Sequence, residues 1–255
     1  MQFFDSHAHY NDEKFNSDRD EVFKKIHKEG VTKVIIAGYN YESSRKAIEI
    51  AKSMNNMYAT CGISPNDIID EKTTSINEIK ALCLSNNKVV AVGEIGLDYY
   101  WNRENKILQK KYFEEQILLA NELNMPIVIH SRDAYIDTIA ILKKCPCKRK
   151  GVFHCCQLNL ELIKDALKLG YYISLAGACT FKNAKNADEI IKQVPIEKLL
   201  IETDSPYLAP EPVRGTRNDS SNLKYTAKKI AQIKQISIED VAKITYQNTE
   251  KIFNI

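Results

Sequence analysis

The feature that most constrains the fold is a regular alternation of short apolar runs with longer amphipathic runs along nearly the whole chain. Runs such as Val-Val-Ala-Val at 89–92 and Ile-Val-Ile at 127–129 are apolar on both faces. Parallel strands buried on both sides of a sheet have this composition. Eight segments are predicted as strands: Gln2–Asp5, Lys33–Ala37, Tyr58–Gly62, Val89–Glu94, Ile127–His130, Gly151–His154, Tyr171–Leu175 and Leu199–Asp204.

The segments between these strands have the spacing of helices. Ser17 is predicted to cap a first helix that ends at Gly30, and a second helix is predicted near Glu104–Asn124. A third covers Leu158–Leu169. The last stretch, Tyr225–Ile255, predicts extra helices that close the side of the domain.

Strict alternation of strand and helix over 255 residues predicts an α/β fold of the TIM (β/α)8 barrel type. The alternative is an open doubly wound sheet. It is weakened because no glycine-rich phosphate loop follows the first strand. Since the sequence shows no internal repeat or long linker, residues 1–255 are predicted to form a single domain with extra C-terminal helices.

Composition sets few limits on function. Hydrophobic residues make up 44% of the chain, and the net charge of +3 neither demands nor excludes a nucleic-acid partner. The seven cysteines contain no CxxC pair, so we predict free thiols in a reducing compartment. We predict a cytoplasmic protein without membrane association, because the sequence has neither a signal-peptide pattern nor an apolar run of about 18 residues.

Polar residues collect where the predicted strands end. In a barrel all strand carboxyl ends meet at one mouth, so these side chains should converge. Such buried charges are costly unless cations compensate them, and imidazole is a common metal ligand, so a metal site is predicted. His27, inside the first predicted helix, is assigned a structural role. The residues at the strand ends are His7, His9, Glu94, His130, His154, Glu202 and Asp204.

The number of candidate ligands exceeds what one tetrahedral zinc ion takes. It suits two divalent ions about 3.5–4 Å apart, with Glu94 as the bridging carboxylate. Zn, Mg, Mn and Fe are all compatible with these ligands. Period-two alternation places Leu200, Glu202 and Asp204 on one face, so Glu202 is either a ligand or a group behind the ligands. A buried salt-bridge partner is the alternative for Glu202.

Six motifs follow one another along the chain: Asp5-Ser-His-Ala-His9, Gly93-Glu-Ile-Gly-Leu-Asp98, Ile129-His-Ser-Arg-Asp-Ala134, Phe153-His-Cys155, Glu202-Thr-Asp-Ser-Pro206 and Arg214-Gly-Thr-Arg-Asn218. In this order and spacing they resemble the TatD family of metal-dependent deoxyribonucleases, over residues 3 to about 250. The resemblance implies a TIM-barrel hydrolase of the amidohydrolase type, with His7, His9, Glu94, His130, His154 and Asp204 as metal ligands and Glu202 as a further site residue.

The chain departs from the family pattern in two places. Gly62-Ile-Ser-Pro-Asn66 has Ser64 and Asn66 where the family shows histidines, and Cys155-Cys-Gln-Leu158 replaces Cys-Phe-Ser-Gly. These changes leave the metal set untouched, so they bear on substrate contacts and rate. Ser64 and Asn66 are retained as candidate substrate-binding residues.

Catalytic roles are predicted for three carboxylates. Asp204 is the candidate general base or proton shuttle, with Glu94 and Glu202 beside it. A phosphodiester also needs cations that hold its negative charge, and guanidinium groups bind phosphate through two hydrogen bonds. The candidate arginines are Arg132, Arg214 and Arg217.

Aromatic residues follow Glu94 closely. Tyr99, Tyr100 and Trp101 could stack on a terminal base, and Tyr99 is retained as a candidate substrate contact. A packed loop anchor is the alternative role for these rings.

The favoured function is a divalent-metal-dependent 3′-5′ exodeoxyribonuclease that acts on DNA, or RNA, as a monomer with a nucleic-acid substrate. One alternative is a small-molecule amidohydrolase or lactonase that uses the same dinuclear site. The other is a barrel whose altered mouth has reduced it to a binding module. The modest net charge does not separate the three.

Overall fold

The computed structural model describes residues 1–70, 75–156 and 158–255. Eight parallel strands follow one another in chain order around a nearly closed barrel, so the predicted fold class is confirmed. The strands are β1 (Phe3–Ala8), β2 (Val31–Ala37), β3 (Met57–Cys61), β4 (Val89–Asp98), β5 (Ile127–Arg132), β6 (Gly151–Phe153), β7 (Tyr172–Leu175) and β8 (Leu199–Ile201).

Helices cover the outside of the barrel. Asn40 and Ser75 begin two of them with reciprocal capping boxes, in which side chain and backbone satisfy each other's free groups. The first helix starts at Arg19, and Asp18 rather than Ser17 precedes it. The helices are α1 (Arg19–Lys28), α2 (Tyr41–Ser53), α3 (Ile76–Ser85), α4 (Lys106–Leu123), α5 (Tyr135–Lys144), α6 (Leu160–Lys168), α7 (Ala187–Gln193), α8 (Leu223–Lys234) and α9 (Ile238–Phe253).

The barrel interior is filled by side chains from alternate strand positions. Buried apolar residues from seven strands pack together there, among them Phe4, Ile35 and Val128. The last turn of α9 adds Ile252 and Phe253 to this cluster. Helix α9 therefore does more than cover the side between β8 and β1, because its end also packs into the barrel interior.

Two strand ends differ from prediction. Strand β4 continues four residues beyond Glu94 to Asp98, whereas β8 ends at Ile201. The predicted alternation therefore stops short of Asp204, whose backbone is left-handed with φ of 55°. Asp204 still reaches the mouth because its backbone N–H donates to the His7 carbonyl oxygen at 3.0 Å, which joins the two edges of the barrel.

A buried carboxylate ties the first strand to the segment after the last one. Asp5 Oδ2 accepts from the hydroxyls of Thr203 and Ser220, both at 2.5 Å, and Oδ1 accepts from the Thr203 backbone N–H at 3.0 Å. Burial raises the pKa of Asp5 to about 7 against the opposing effect of these hydrogen bonds. Asp5 thus fixes the backbone that carries His7 on one side and Asp204 on the other.

All seven cysteines are free thiols in the structure. Among the described residues, none of the helices has the length and apolar character needed to cross a membrane.

Candidate metal centre

The six predicted metal ligands meet at the carboxyl ends of the strands. They come from β1, β4, β5 and the segments after β1, β6 and β8, and they form what we call the floor: His7, His9, Glu94, His130, His154 and Asp204. Above the floor opens a cavity of about 730 Å³, called the mouth below. It is lined by His9, Asn66, Glu94, Trp101, His130, Ser131, Arg132, His154, Cys155, Asp204, Tyr207 and Leu208.

Glu94 lies between two pairs of histidines and directs one oxygen at each pair. Its Oε1 is 3.2 Å from His130 Nδ1 and 3.4 Å from His154 Nε2. Its Oε2 is 3.5 Å from His7 Nε2 and 3.8 Å from His9 Nε2. Burial opposes ionisation, but the neighbouring imidazoles, His154 first, hold the pKa of Glu94 well below its usual range. Glu94 thus offers one carboxylate oxygen to each histidine pair.

Asp204 completes the side of the floor formed by strand β1. Its Oδ1 is 3.2 Å from His9 Nε2 and 3.7 Å from His7 Nε2. Burial opposes ionisation, yet the hydrogen bond and charge of His9 lower the pKa of Asp204 to about 2. The carboxylate is therefore anionic throughout the neutral range.

Three of the histidines are oriented from behind. His9 Nδ1 lies 3.2 Å from the Ala37 carbonyl oxygen, and His130 Nε2 lies 2.9 Å from Asp98 Oδ2. His154 Nδ1 faces Glu202 Oε1 at 3.6 Å. A partner on one ring nitrogen fixes the ring and leaves the other nitrogen directed at the floor, as in proteins that bind metals through histidine.

The spacing of the ring nitrogens fits metal ligation. His7 Nε2 and His9 Nε2 are 3.3 Å apart, and so are His130 Nδ1 and His154 Nε2. Two nitrogens bound to one tetrahedral zinc ion at about 2.0–2.1 Å are separated by roughly this distance. The groups His7–His9–Asp204 and His7–Glu94–His154 each bring three ligand atoms within 4.8 Å of one another. The donors present therefore fit divalent cations.

Asp98 is a further residue of the site, and its sequence motif alone predicted no role for it. It is fully buried, and its Oδ2 contacts both His130 Nε2 at 2.9 Å and Asn66 Nδ2 at 3.2 Å. Its Oδ1 accepts from the backbone N–H groups of Tyr100 and Trp101, each at 2.9 Å. The two-residue period of a strand could have identified it. Asp98 lies four residues after Glu94 and is therefore on the same face of β4.

Glu202 lies behind the floor. Its carboxylate is fully buried, accepts from the Cys155 backbone N–H at 2.5 Å and faces the back of His154. It does not line the mouth. Among the roles left open for Glu202, this location favours a group behind the ligands, next to His154, over a metal ligand.

The three candidate arginines have different surroundings. Arg132 lines the mouth, with its guanidinium carbon 4.0 Å from the centre of the Tyr100 ring, and it forms no ion pair with any residue that the structure describes. Arg214 lies over Phe181 at 4.1 Å, and its guanidinium is 3.9 Å from Glu211. Of the three arginines, Arg132 is the one that lines the mouth.

Arg217 is held by other groups. Its Nη2 lies 2.5 Å from Asp18 Oδ2, and its Nη1 donates to the Lys14 carbonyl oxygen at 2.6 Å. These bonds occupy the guanidinium fork, so the structure does not bring Arg217 among the residues that line the mouth.

The other predicted substrate contacts are also divided. Asn66 lines the mouth, but Ser64 is buried and caps a short turn by accepting from the Asn66 backbone N–H at 3.4 Å. Tyr99 points away, with its hydroxyl donating to Asp137 at 2.6 Å, while Trp101 and Tyr207 line the mouth. Gln157, in the second departure from the family pattern, lies outside the described residues.

The chain is similar to known proteins over nearly its whole length. The family model described as TatD related DNase matches residues 4–254. YabD of Bacillus subtilis (strain 168), named an uncharacterized metal-dependent hydrolase, is 40% identical over 253 residues, which cover 99% of each chain.

Two solved structures extend the likeness to the fold. YjjV, a TatD homologue from Escherichia coli K12, superposes with a TM-score of 0.93 at 26% identity, covering 99% of this chain and 98% of that one. A TatD-family hydrolase from Entamoeba histolytica superposes with a TM-score of 0.88 at 25% identity, with the same shares covered.

Proposed function

Because this chain belongs to the TatD-related DNase family, whose members here are metal-dependent hydrolases, we propose that it cleaves phosphodiester bonds of DNA, or RNA, from a 3′ end. The observation that carries the proposal is the position of Glu94. One carboxylate oxygen faces each of two histidine pairs, which suits a dinuclear centre. Dinuclear centres are common among enzymes that displace a phosphate oxygen in line.

The donors divide into two groups around Glu94. His7, His9 and Asp204 would hold one cation, and His130 and His154 the other. Bound divalent ions would supply an activated water near neutral pH and neutralise charge on the phosphoryl group. The identity of the metal is open, since these ligands accept Zn, Mn, Mg or Fe.

The chain's own residues handle the proton. Asp204 is anionic at neutral pH, since its pKa is about 2, and it lines the mouth beside His9. Its carboxylate is therefore available to accept a proton from an attacking water. Asp98 holds His130 through Nε2 and leaves Nδ1 facing Glu94.

Arg132 supplies the positive charge that a phosphodiester needs outside the metal set. It extends into the mouth two residues beyond His130, and no carboxylate of the described residues neutralises it. An unpaired guanidinium binds phosphate oxygens well because its donors match them in pairs. This feature favours a phosphodiester over a neutral cyclic amide or lactone.

The test combines elemental analysis with an assay on a 5′-labelled single-stranded oligonucleotide, with added Mg²⁺ or Mn²⁺ and with chelator. We expect a ladder that shortens from the 3′ end, disappears in chelator and is lost in the Asp204→Asn variant. Internal cuts without a 3′ ladder would contradict the exonuclease assignment. Turnover of lactones or cyclic amides with intact oligonucleotide would support the amidohydrolase alternative instead.

A further inference from the structure

The aromatic side chains that remain exposed are gathered at one place. Among the described residues, Tyr100, Trp101 and Tyr207 are the three aromatic residues classed as exposed, with 46%, 68% and 45% of their surface accessible. Trp101 and Tyr207 line the mouth, and Tyr100 adjoins it through its contact with Arg132. Large exposed aromatic groups beside a cavity mark contact surfaces rather than core.

These rings belong to different parts of the barrel. Trp101 follows β4, whereas Tyr207 follows β8, so the two approach the metal centre from opposite sides of an eight-stranded barrel. Tyr207 is anchored, because its hydroxyl donates to Asp12 at 2.8 Å and Lys14 lies 4.5 Å from its ring centre. Its ring is therefore held in place beside His9, and the two ring centres are 6.4 Å apart.

Trp101 is anchored mainly through its backbone. Its backbone N–H donates to Asp98 Oδ1 at 2.9 Å, and its ring lies perpendicular to the Tyr100 ring with the two centres 4.7 Å apart. Because 68% of its surface is accessible, much of the indole remains available at the mouth. Tyr100 in turn carries Arg132 on its ring at 4.0 Å, which holds the guanidinium near Trp101, 5.5 Å from the indole centre.

We propose that Trp101 and Arg132 form a subsite for the last nucleotide of a single-stranded 3′ end, in which the indole stacks on the base and the guanidinium binds the phosphate of the bond to be cut. The proposal rests on the proposed function and names its substrate more closely. Stacking tolerates any base because every base has a π face, so the subsite selects for an unpaired terminal nucleotide rather than for sequence.

Trp101 is the only tryptophan of the chain, so its emission reports on this subsite directly. We would load the protein with Mn²⁺ and titrate it with a single-stranded oligonucleotide whose last linkages are phosphorothioates, to slow cleavage. Stacking should quench the emission in a saturable way. The same oligonucleotide with an abasic 3′-terminal residue should quench it far less.

Kinetics on the unmodified oligonucleotide give the second readout. Trp101→Ala should raise KM by roughly tenfold, the scale of one lost base stack, with a smaller change in kcat. Trp101→Phe should restore most of that KM. Ile107→Ala is the matched control, since it removes an apolar side chain that is 87% exposed a few residues further along.

The possible outcomes distinguish a failure of the proposed subsite from a failure of the proposed nuclease activity. Cleavage of the oligonucleotide without quenching, or equal KM values for normal and abasic termini, would overturn the subsite and leave the nuclease assignment standing. Quenching that depends on the terminal base, without cleavage by the metal-loaded protein, would support the subsite and overturn the nuclease assignment. If neither occurs, both are overturned.

Discussion

The floor of the mouth and its rim are built in different ways. We use rim for Asn66, Tyr100, Trp101, Arg132 and Tyr207. The floor consists of side chains whose backbones lie in or directly after strands. Four of the six are buried, and three of the histidines face a partner behind the ring. The rim residues extend from strand ends and loops, and four of the five are exposed. The floor is thus suited to hold ions in a fixed geometry, while the rim is free to differ in what it admits.

Asp98 connects the two regions. One of its oxygens contacts the floor through His130 and the rim through Asn66, and the other accepts from the backbone of Tyr100 and Trp101. Loss of the Asp98 carboxylate would therefore disturb the rim and would also remove the group that orients His130. Asp98 therefore links the floor to the rim, and this link can be tested from both sides.

The largest expected effect comes from removing the charge at the centre of the floor. Glu94→Gln keeps the shape of the side chain but removes the anion that faces both histidine pairs. We expect turnover to fall by about 10³-fold or more, together with metal content. Elemental analysis and the oligonucleotide assay measure both. Glu211→Gln, which neutralises a carboxylate near Arg214, serves as the control.

If Glu94→Gln retained full metal stoichiometry and more than a tenth of the activity, the floor would not be organised around that carboxylate. The geometry of the two histidine pairs would then need another explanation.

The next largest effect should come from the residue that joins the two regions. Asp98→Asn removes the charge behind His130, and loss of such a partner generally costs roughly 10- to 100-fold in metal affinity or activity. Because Asp98 also holds Trp101, KM for single-stranded substrate should rise as well. Metal titration and steady-state kinetics separate these two effects.

Asp137→Asn is the matched control for Asp98→Asn. Asp137 accepts from the Tyr99 hydroxyl outside the mouth, and an amide oxygen can accept the same bond. Equal losses in the two variants would argue that Asp98 acts only through general stability.

The difference between floor and rim also explains how much of the site could be predicted from the sequence. The floor could be predicted because residues at strand carboxyl ends converge in any parallel barrel, which brought His7, Glu94 and His154 together without knowledge of loop paths. Asp204 was placed correctly at the mouth although its predicted alternation was wrong, since β8 ends at Ile201 and a left-handed residue completes the path.

The rim could not be predicted in the same way. Tyr99 and Trp101 are two residues apart, yet one bonds Asp137 outside the mouth and the other lines it. Arg132 and Arg217 are equally charged, but only their local partners show that Arg217 pairs with Asp18 whereas Arg132 has no ion pair among the described residues. Loop conformation and competing ion pairs decide these cases, and neither follows from spacing or residue type.

A smaller effect is expected at the rim itself. Arg132→Met removes the guanidinium from the mouth, and loss of a charged hydrogen bond to the phosphate corresponds to about a tenfold loss in kcat/KM for oligonucleotide. Metal content should stay at the wild-type value, because Arg132 contacts none of the floor carboxylates. Reduced metal content in this variant would show that a rim residue also contributes to metal binding, and it would contradict the division between floor and rim.

The smallest effect is expected for Arg217→Met, and it should appear in stability rather than in rate. Arg217 bonds Asp18 and the Lys14 carbonyl outside the mouth, so kcat/KM should change by less than about twofold, as for other surface positions. The Arg217 hydrogen bond lowers the pKa of Asp18, so the pair stabilises the fold only while that carboxylate is ionised. The wild type should therefore have a slightly higher urea midpoint than the variant at neutral pH. That difference should shrink as the pH falls below about 4 and through the lowered pKa of Asp18. A loss of oligonucleotide cleavage comparable to that of Arg132→Met would instead assign Arg217 to the substrate path and extend the rim to the loop after β8.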